Sequence, residues 1–572
     1  MSGDIYQLCS DIVDETVARL PLLGTYLGIP GQDDKWDDFS PIGQQAAADM
    51  VRDQLARVNA IEVPDDQWAR MAHRVAVHSC SDWVNWFDSG EQFLELNSIS
   101  SPLQDIREIF DHMDTSTAEG WSNIAARLEG LGGALGGYQE LLEVGRSQGK
   151  TVARRQVVEA VRQARNHAGD QSGFNPLAAA VVESGVADAR TIERIEAGIG
   201  SSRAAYGSLA DYLESRYLPN AIAADGVGKE RYVRLARKFL GSDLDPKATY
   251  EWGWEEVARI RAAMQSVAGE ILPSGDLPEV LRVLQTDPAR AAHSQAEFRD
   301  LMQERLEVAL TDLDGSHFDV PAQIRKVEVK MAPPGGSLGA YYVSPSEDFS
   351  RPGSVWWSKG DKQVIPLFDE VTTAYHEGFP GHHLQSGIQM TAGDKVSRLQ
   401  KLLVWYSGSG EGWALYAEDL MDEMGYLEMP DYRMGKLAAE MLRACRVVID
   451  IGSHLDLPIP QGQPFNPGER WSFDFGVEML VDYAAQDHDS SVSEINRYLG
   501  WAGQAISYKV GQQAIHDIRA AERQQHGSAF DLKSFHARLL EIGSTGLAVM
   551  REHMAETGTV ADRPETAGGE RK

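Results

Sequence analysis

The chain has 572 residues, too many for one small core and enough for two or three lobes or one large helical body. Its 54 basic and 85 acidic side chains give a net charge of −31, which disfavours nucleic acid and anionic membranes as partners. Hydrophobic residues make up 42%, more than a disordered chain carries, and no apolar run is long enough to span a bilayer.

Asp4, Asp11 and Asp14 interrupt the N-terminus where a secretory signal needs an unbroken apolar stretch. The three cysteines, Cys9, Cys80 and Cys445, form no CxxC pair, so buried free thiols in a reducing cytoplasm are expected.

In chain order, helical periodicity begins clearly at 40–60 behind a Ser-Pro start. Two amphipathic segments follow over 102–148, split by the helix-start signal at Asp114. Helices are predicted at 151–168, 174–198 and 202–217. The Gly130–Gly137 cluster marks either a loosened stretch or close helix contacts. A Gly-, Asp- and Pro-rich stretch over 219–246 is the candidate lobe boundary, dividing an N-terminal helical lobe (1–220) from a catalytic lobe (221–556). A further helix follows the boundary stretch, and its Trp252, Trp254, Val257 and Ile260 read as packing residues.

Residues 324–365 carry the one convincing β signal, with Val327 and Val329 alternating with charged neighbours. Helices resume at 367–390, 398–424, 434–453, 473–486, 491–523 and 531–555. The tail from 557 to 572 reads as disordered. The fold class expected is therefore mostly α, with a small β-sheet just before the helix that carries the main chemical motif.

That motif runs His376-Glu-Gly-Phe-Pro-Gly-His-His383. Zinc favours neutral imidazole and carboxylate ligands with one open position for water, and a nearby Glu can take the water's proton. In the HExxH helix the two His stand at i and i+4 on one face. Here i+4 is Pro380, and the next imidazoles come at His382 and His383. Pro380-Gly381 reads as a distortion that returns His382 to the i+4 place. The rival geometry is an undistorted two-turn helix with His383 facing His376. Glu411, 29 residues after His382, is the expected third ligand from a neighbouring helix. Glu418, two turns further along the same face, is expected to orient a ligating His, and Glu377 to serve as general base.

The same segments resemble a bacterial family known as domain of unknown function 885. The likeness lies in the HE-x-x-PG-HH turn, in EGWALYAE (411–418), in LRACRVVIDIGSHL (442–455) and in EINRYLGWAGQAISYKVGQ (494–512). Two departures stand out: Gln385 comes one position early, and Ala502 stands where the family usually has Pro. The family is in turn similar to helical gluzincin peptidases of the thimet-oligopeptidase and angiotensin-converting-enzyme type. That resemblance implies a large helical zincin-like body with a deep channel, and peptide-like amide hydrolysis.

By the same analogy, a downstream Tyr or His donates to the developing oxyanion. Tyr508 is the first candidate and His454 the second. Arg443 and Arg351 are candidates to grip a substrate carboxylate, against a bracing network in which Arg443, Arg446, Asp450 and Arg497 pair with one another. Tyr341 and Tyr342, in the β region, are candidates to line an edge strand that pairs with substrate backbone.

The expected activity is hydrolysis of short peptides or small amides with Zn(2+), for which Mn or Co could substitute. The alternatives are a metal-dependent hydrolase or lyase of a non-peptide metabolite, and a helical binding protein that retains the motif structurally.

Overall fold

The computed structural model describes residues 4–332, 339–346, 349–360 and 362–558. The sequence stretch read as a disordered tail lies outside these residues from position 559 onward. Helices dominate the fold. Their starts follow side-chain capping: Ser40 accepts from the Gly43 N–H ahead of Pro41–Asn59, and Asp66 from Trp68 and Ala69. Thr117 caps the long Ala118–Ser147 helix, and Asp114 in turn holds Ser116 and Thr117. The glycine cluster does not break that helix. A Cβ at Gly130 would lie 2.8 Å from Trp36, so this part of the cluster serves close packing.

Several breaks differ from the periodicity reading. The helices at 174–217 divide at Gly185, in left-handed backbone (φ 65°), giving Pro176–Ser184 and Ala189–Tyr212. Gly198 stays within the second of these helices, where Leu128 packs against the space a Cβ would fill. The stretch 398–424 divides into Arg398–Leu402 and Ser407–Glu423, and 491–523 into His488–Gly500 and Ser507–His526. Apolar periodicity runs through both breaks, so periodicity alone joined what the chain separates.

The β region forms a three-stranded sheet. Gly353–Ser358 lies in its centre, parallel to Val327–Met331 and antiparallel to Gly339–Val343. Ala291–Ala292 pairs separately with Ile365–Pro366.

Two apolar cores hold the elements together, each driven by removal of side chains from water. The smaller is built mainly from residues between Leu96 and Tyr217, with Leu22 and Phe39 added. The larger combines N-terminal side chains such as Ile12, Val13 and Val75 with residues from Tyr232 to Met554. All three cysteines are buried and unpaired. Among the described residues no helix is long and apolar enough to cross a membrane.

Candidate metal centre

The helix carrying His376 and Glu377 spans Glu370–Glu377 and stops at Gly378. A second helix, His382–Thr391, begins four residues later. The Phe379–Pro380 peptide between them is cis. The turn keeps its backbone groups paired: Gly381 N–H donates to Tyr375 O (3.0 Å), and His383 N–H to Gly378 O (3.1 Å). Trp413 donates its indole N–H to Pro380 O (3.0 Å) and approaches Gly381 O (3.3 Å). Gly381 is required here, because a Cβ would lie 1.9 Å from His376 O.

This turn aims His382 at His376, with ring centroids 5.0 Å apart and planes nearly perpendicular. Glu411, on the Ser407–Glu423 helix, meets both. Its Oε2 lies 3.3 Å from His376 Nε2 and 3.5 Å from His382 Nε2. One donor atom from each of the three residues falls within 4.8 Å of the others. Trp413, two residues after Glu411, thus ties the helix that carries the carboxylate to the turn that carries the imidazoles. Sequence reading assigned Trp413 no role.

Glu418 sits one layer behind. His376 Nδ1 lies 2.8 Å from Glu418 Oε1, while Thr372 Oγ1 donates to the other carboxylate oxygen. With the Nδ1 proton committed to Glu418, Nε2 is the ring atom that faces Glu411 and His382, and it offers a lone pair there once its own proton leaves. Burial pushes the His376 imidazole down, but Glu411 and Glu418 outweigh it and hold it up at about 10. Burial pushes Glu411 up, yet the two imidazoles prevail and keep it well below the usual carboxylate range. Three donors of this kind, two nitrogens and one oxygen with a carboxylate behind, fit a divalent cation of the zinc class.

His383 turns the other way. Its Nε2 lies 2.8 Å from Ile324 O and its Nδ1 3.0 Å from Tyr342 OH. Burial lowers it to about 4, against the bond to Ile324, so the ring stays neutral. Gly353 makes room for this pair, since a Cβ there would lie 2.4 Å from Tyr342 OH.

Glu377 stands beside the triad and is partly exposed. Burial raises its carboxyl and Glu411 adds to that, while His376, His382 and Arg443 oppose it. Tyr508 approaches from the Ser507–His526 helix. Gly412 and Gly511 let this helix and the Glu411 helix touch backbone to backbone; a Cβ on Gly412 would lie 2.5 Å from the Gly511 carbonyl carbon. Burial raises the Tyr508 phenol, with Glu411 adding to it and Arg497 and Arg446 opposing. The Arg446 guanidinium lies 4.8 Å from the ring centroid.

Arg446 and Arg497 are committed elsewhere. Arg446 bonds Glu494 (2.7 Å) and Tyr498 (2.9 Å), and Arg497 bonds Glu494 (3.1 Å) and Gln504 (2.7 Å). The carboxylate of this network is Glu494 and not Asp450, which accepts from Tyr232 OH and Gly503 N–H. Arg443 differs from both arginines in having no carboxylate bonded to it among the described residues: its Nη1 reaches Ala439 O, and its Nε, like that of Arg497, is buried without a hydrogen-bond partner.

His454 is not brought to the triad. Its Nε2 lies 3.0 Å from Tyr498 O, and it stands eleven residues beyond Arg443 on the unbroken Pro430–His454 helix. At 1.5 Å per residue that is about 16 Å away. Tyr341 is 48% exposed and stacks on Trp356 at 6.3 Å, and Arg351 is exposed at the edge of the same region. The strand places Tyr342, rather than Tyr341, toward the motif helix through His383.

A family model described as "Bacterial protein of unknown function (DUF885)" matches residues 21–554. The chain belongs to that family. No curated protein matches it. Two solved structures are similar over nearly the whole DUF885 chain. "The putative lipoprotein from Colwellia psychrerythraea" is 22% identical with a TM-score of 0.84, covering 97% of this chain and 98% of that one. "A putative lipoprotein of unknown function from Shewanella oneidensis" is 16% identical with a TM-score of 0.74, covering 97% and 100%. At these identities the likeness is one of fold.

Proposed function

We propose that this DUF885 protein is a metal-dependent hydrolase of short peptides or peptide-like amides, with zinc the best-suited ion. The observation that carries the reading is the convergence of His376 Nε2, His382 Nε2 and a Glu411 carboxylate oxygen on one point, with Glu377 alongside. His376, His382 and Glu411 would hold the ion. When bound, it supplies Lewis acidity toward a carbonyl and lowers the pKa of water.

The chain's own groups then divide the work. Glu377, whose carboxyl burial raises, holds a proton taken from water and returns it to the leaving nitrogen. Tyr508, kept protonated by burial, donates from its phenol to the oxygen of the attacked carbonyl. Glu418 and Thr372 fix the His376 ring, and Arg443, with no carboxylate bonded to it among the described residues, attracts an anionic group of the substrate. Similarity to gluzincin peptidases belongs to this reading and rests on the donor set and the helical body.

A cytoplasmic setting is supported by the three unpaired buried thiols. The lipoprotein descriptions of the two similar structures point instead to attachment at a membrane surface, and fractionation of cells expressing the full gene separates the two.

The deciding experiment compares wild type with Glu377→Gln on a mixed short-peptide library. Wild type is expected to cleave. The variant is expected to keep stoichiometric zinc while losing about 10²- to 10⁴-fold in turnover, the range of general-base contributions. Undiminished turnover in the variant rejects the role of Glu377, and a wild type that binds no metal rejects the whole reading.

A further inference from the structure

Beside the metal centre lies a cavity of about 320 Å³ lined by Trp83, Trp86, Lys238, Phe239, Trp405 and Trp501, among others. Trp83 and Trp86 come from the Gln67–Ser89 helix, and Lys238 and Phe239 from the end of Lys229–Leu240. The remaining walls come from the two helix breaks that periodicity did not reveal. Trp405 lies in the link before the helix bearing Glu411, and Trp501 in the link before the helix bearing Tyr508.

Trp405 is the wall shared with the metal centre. Its ring centroid lies 6.4 Å from that of His382, and its six-membered ring covers Gly410, the neighbour of Glu411. Trp405 is 58% exposed and Trp83 42%, although both are large apolar side chains. An exposed aromatic patch of this kind opening on a cavity marks a binding surface. Trp501 is buttressed edge-to-face by Phe239 at 5.3 Å.

Lys238 gives the cavity its sign. Its ammonium lies 3.7 Å from the Trp86 ring centroid and 5.3 Å from that of Trp83. Among the described residues it has no hydrogen bond and no ion pair. Asp82, which also lines the cavity, is engaged by Arg237 and Tyr406, and nearby Glu91 by Arg231. Glu95, Glu91 and Asp105 act on Lys238 through space, none of them bonded to it. The two indole faces offset part of the cost of removing the ammonium from water, and a facing anion would offset more. A cationic ligand is disfavoured at the Trp83 and Trp86 faces, which the Lys238 ammonium already occupies and from which it repels a second cation. A purely apolar ligand would fill the cavity and leave the ammonium unpaired.

We propose that this cavity is a substrate subsite for a carboxylate-bearing residue with an aromatic or large apolar side chain, such as the C-terminal residue of a peptide. Lys238 meets the carboxylate and the tryptophans meet the side chain. This names the substrate class for the hydrolase reading above and rests on it, but the binding can be measured without turnover.

The test uses isothermal titration calorimetry on the full-length Glu377→Gln protein loaded with zinc. The probes are N-acetyl-L-phenylalanine, its amide and N-acetylglycine. The free acid of phenylalanine is expected to bind, and each of the other two to bind about tenfold or more weakly, since a hydrogen bond to a charged group or a buried aromatic ring contributes at least that factor. Lys238→Met, which keeps an apolar stem against Trp86, is expected to abolish the acid-over-amide preference. Trp83→Ala, at a partly exposed position, is expected to reduce the phenylalanine-over-glycine preference. Equal binding of acid and amide, absence of binding by all three probes, or an unchanged preference in Lys238→Met overturns the proposal. Selective binding in a protein that cleaves no peptide supports the subsite while rejecting the hydrolase. Cleavage without selective binding rejects the subsite alone.

Discussion

His382 and His383 are sequence neighbours that face opposite ways: His382 Nε2 lies 3.5 Å from Glu411 Oε2, and His383 Nε2 lies 2.8 Å from Ile324 O. Successive helix positions point about 100° apart, so one helix cannot direct both imidazoles at one cation. His382→Gln is therefore expected to lower zinc content below one equivalent. His383→Gln is expected to keep the metal and to lose about 1–3 kcal/mol of stability, because Ile324 O and Tyr342 OH lose a buried partner. Metal analysis and denaturant unfolding of the two variants check both halves. Equal zinc loss in the two would contradict the assignment.

Trp413 offers a separate test of the turn. Its indole N–H is the side-chain donor to Pro380 O, with Gly381 O also in reach. Trp413→Phe keeps most of the apolar volume and removes that donor. The expected cost is about 1–3 kcal/mol in unfolding free energy, with weaker zinc binding, as the turn no longer holds His382 against Glu411. An unaltered zinc affinity would show that the turn keeps its shape without the indole.

Glu418→Gln removes the charge behind His376 and little volume. Replacing the outer partner of a ligating imidazole typically weakens a metal 10- to 100-fold. Competition with a chelator of known affinity reads this directly. The same variant should alter peptide KM little once metal is saturating, since Glu418 is buried behind the ring at 3% exposure.

Zinc uptake should also release a proton. In the metal-free protein His376 is held up at about 10 by Glu411 and Glu418, and an imidazole must be neutral to bind metal. Apparent affinity is expected to rise about tenfold per pH unit through neutrality and to level off near pH 10. For folding, the sign is opposite. A raised His contributes stability that is full below its unfolded value of 6.5 and is lost as pH rises through about 10. Glu411, held low, contributes above its unfolded value and loses that contribution as pH falls. Calorimetric titrations in buffers of different ionisation enthalpy count the proton. A pH-independent affinity would contradict the coupling.

Local interactions made much of this protein legible before its coordinates. The helix starts at Ser40 and near Asp114, the Pro-Gly interruption after Glu377, and the β pattern around Val327 and Val329 all depend on groups a few residues apart. The clustering of His376, Glu377, His382 and His383 belongs to the same class of signal, whereas the candidacy of Glu411 rests on its spacing of 29 residues from His382 and on the EGWALYAE segment.

Tertiary packing decided what spacing could not. Which imidazole faces His376 depends on Trp413 reaching the turn from another helix, and on Ile324 and Tyr342 capturing His383. Tyr508 nears Glu411 because Gly412 and Gly511 allow two helix backbones to touch. His454 is drawn away by the Tyr498 carbonyl, and the helix breaks that carry Trp405 and Trp501 interrupt an apolar periodicity that runs straight through them. A sequence records which side chains are near in the chain. The free energy of closing long loops is repaid by burial and hydrogen bonds between distant segments, and only the folded arrangement shows which of those pairings wins.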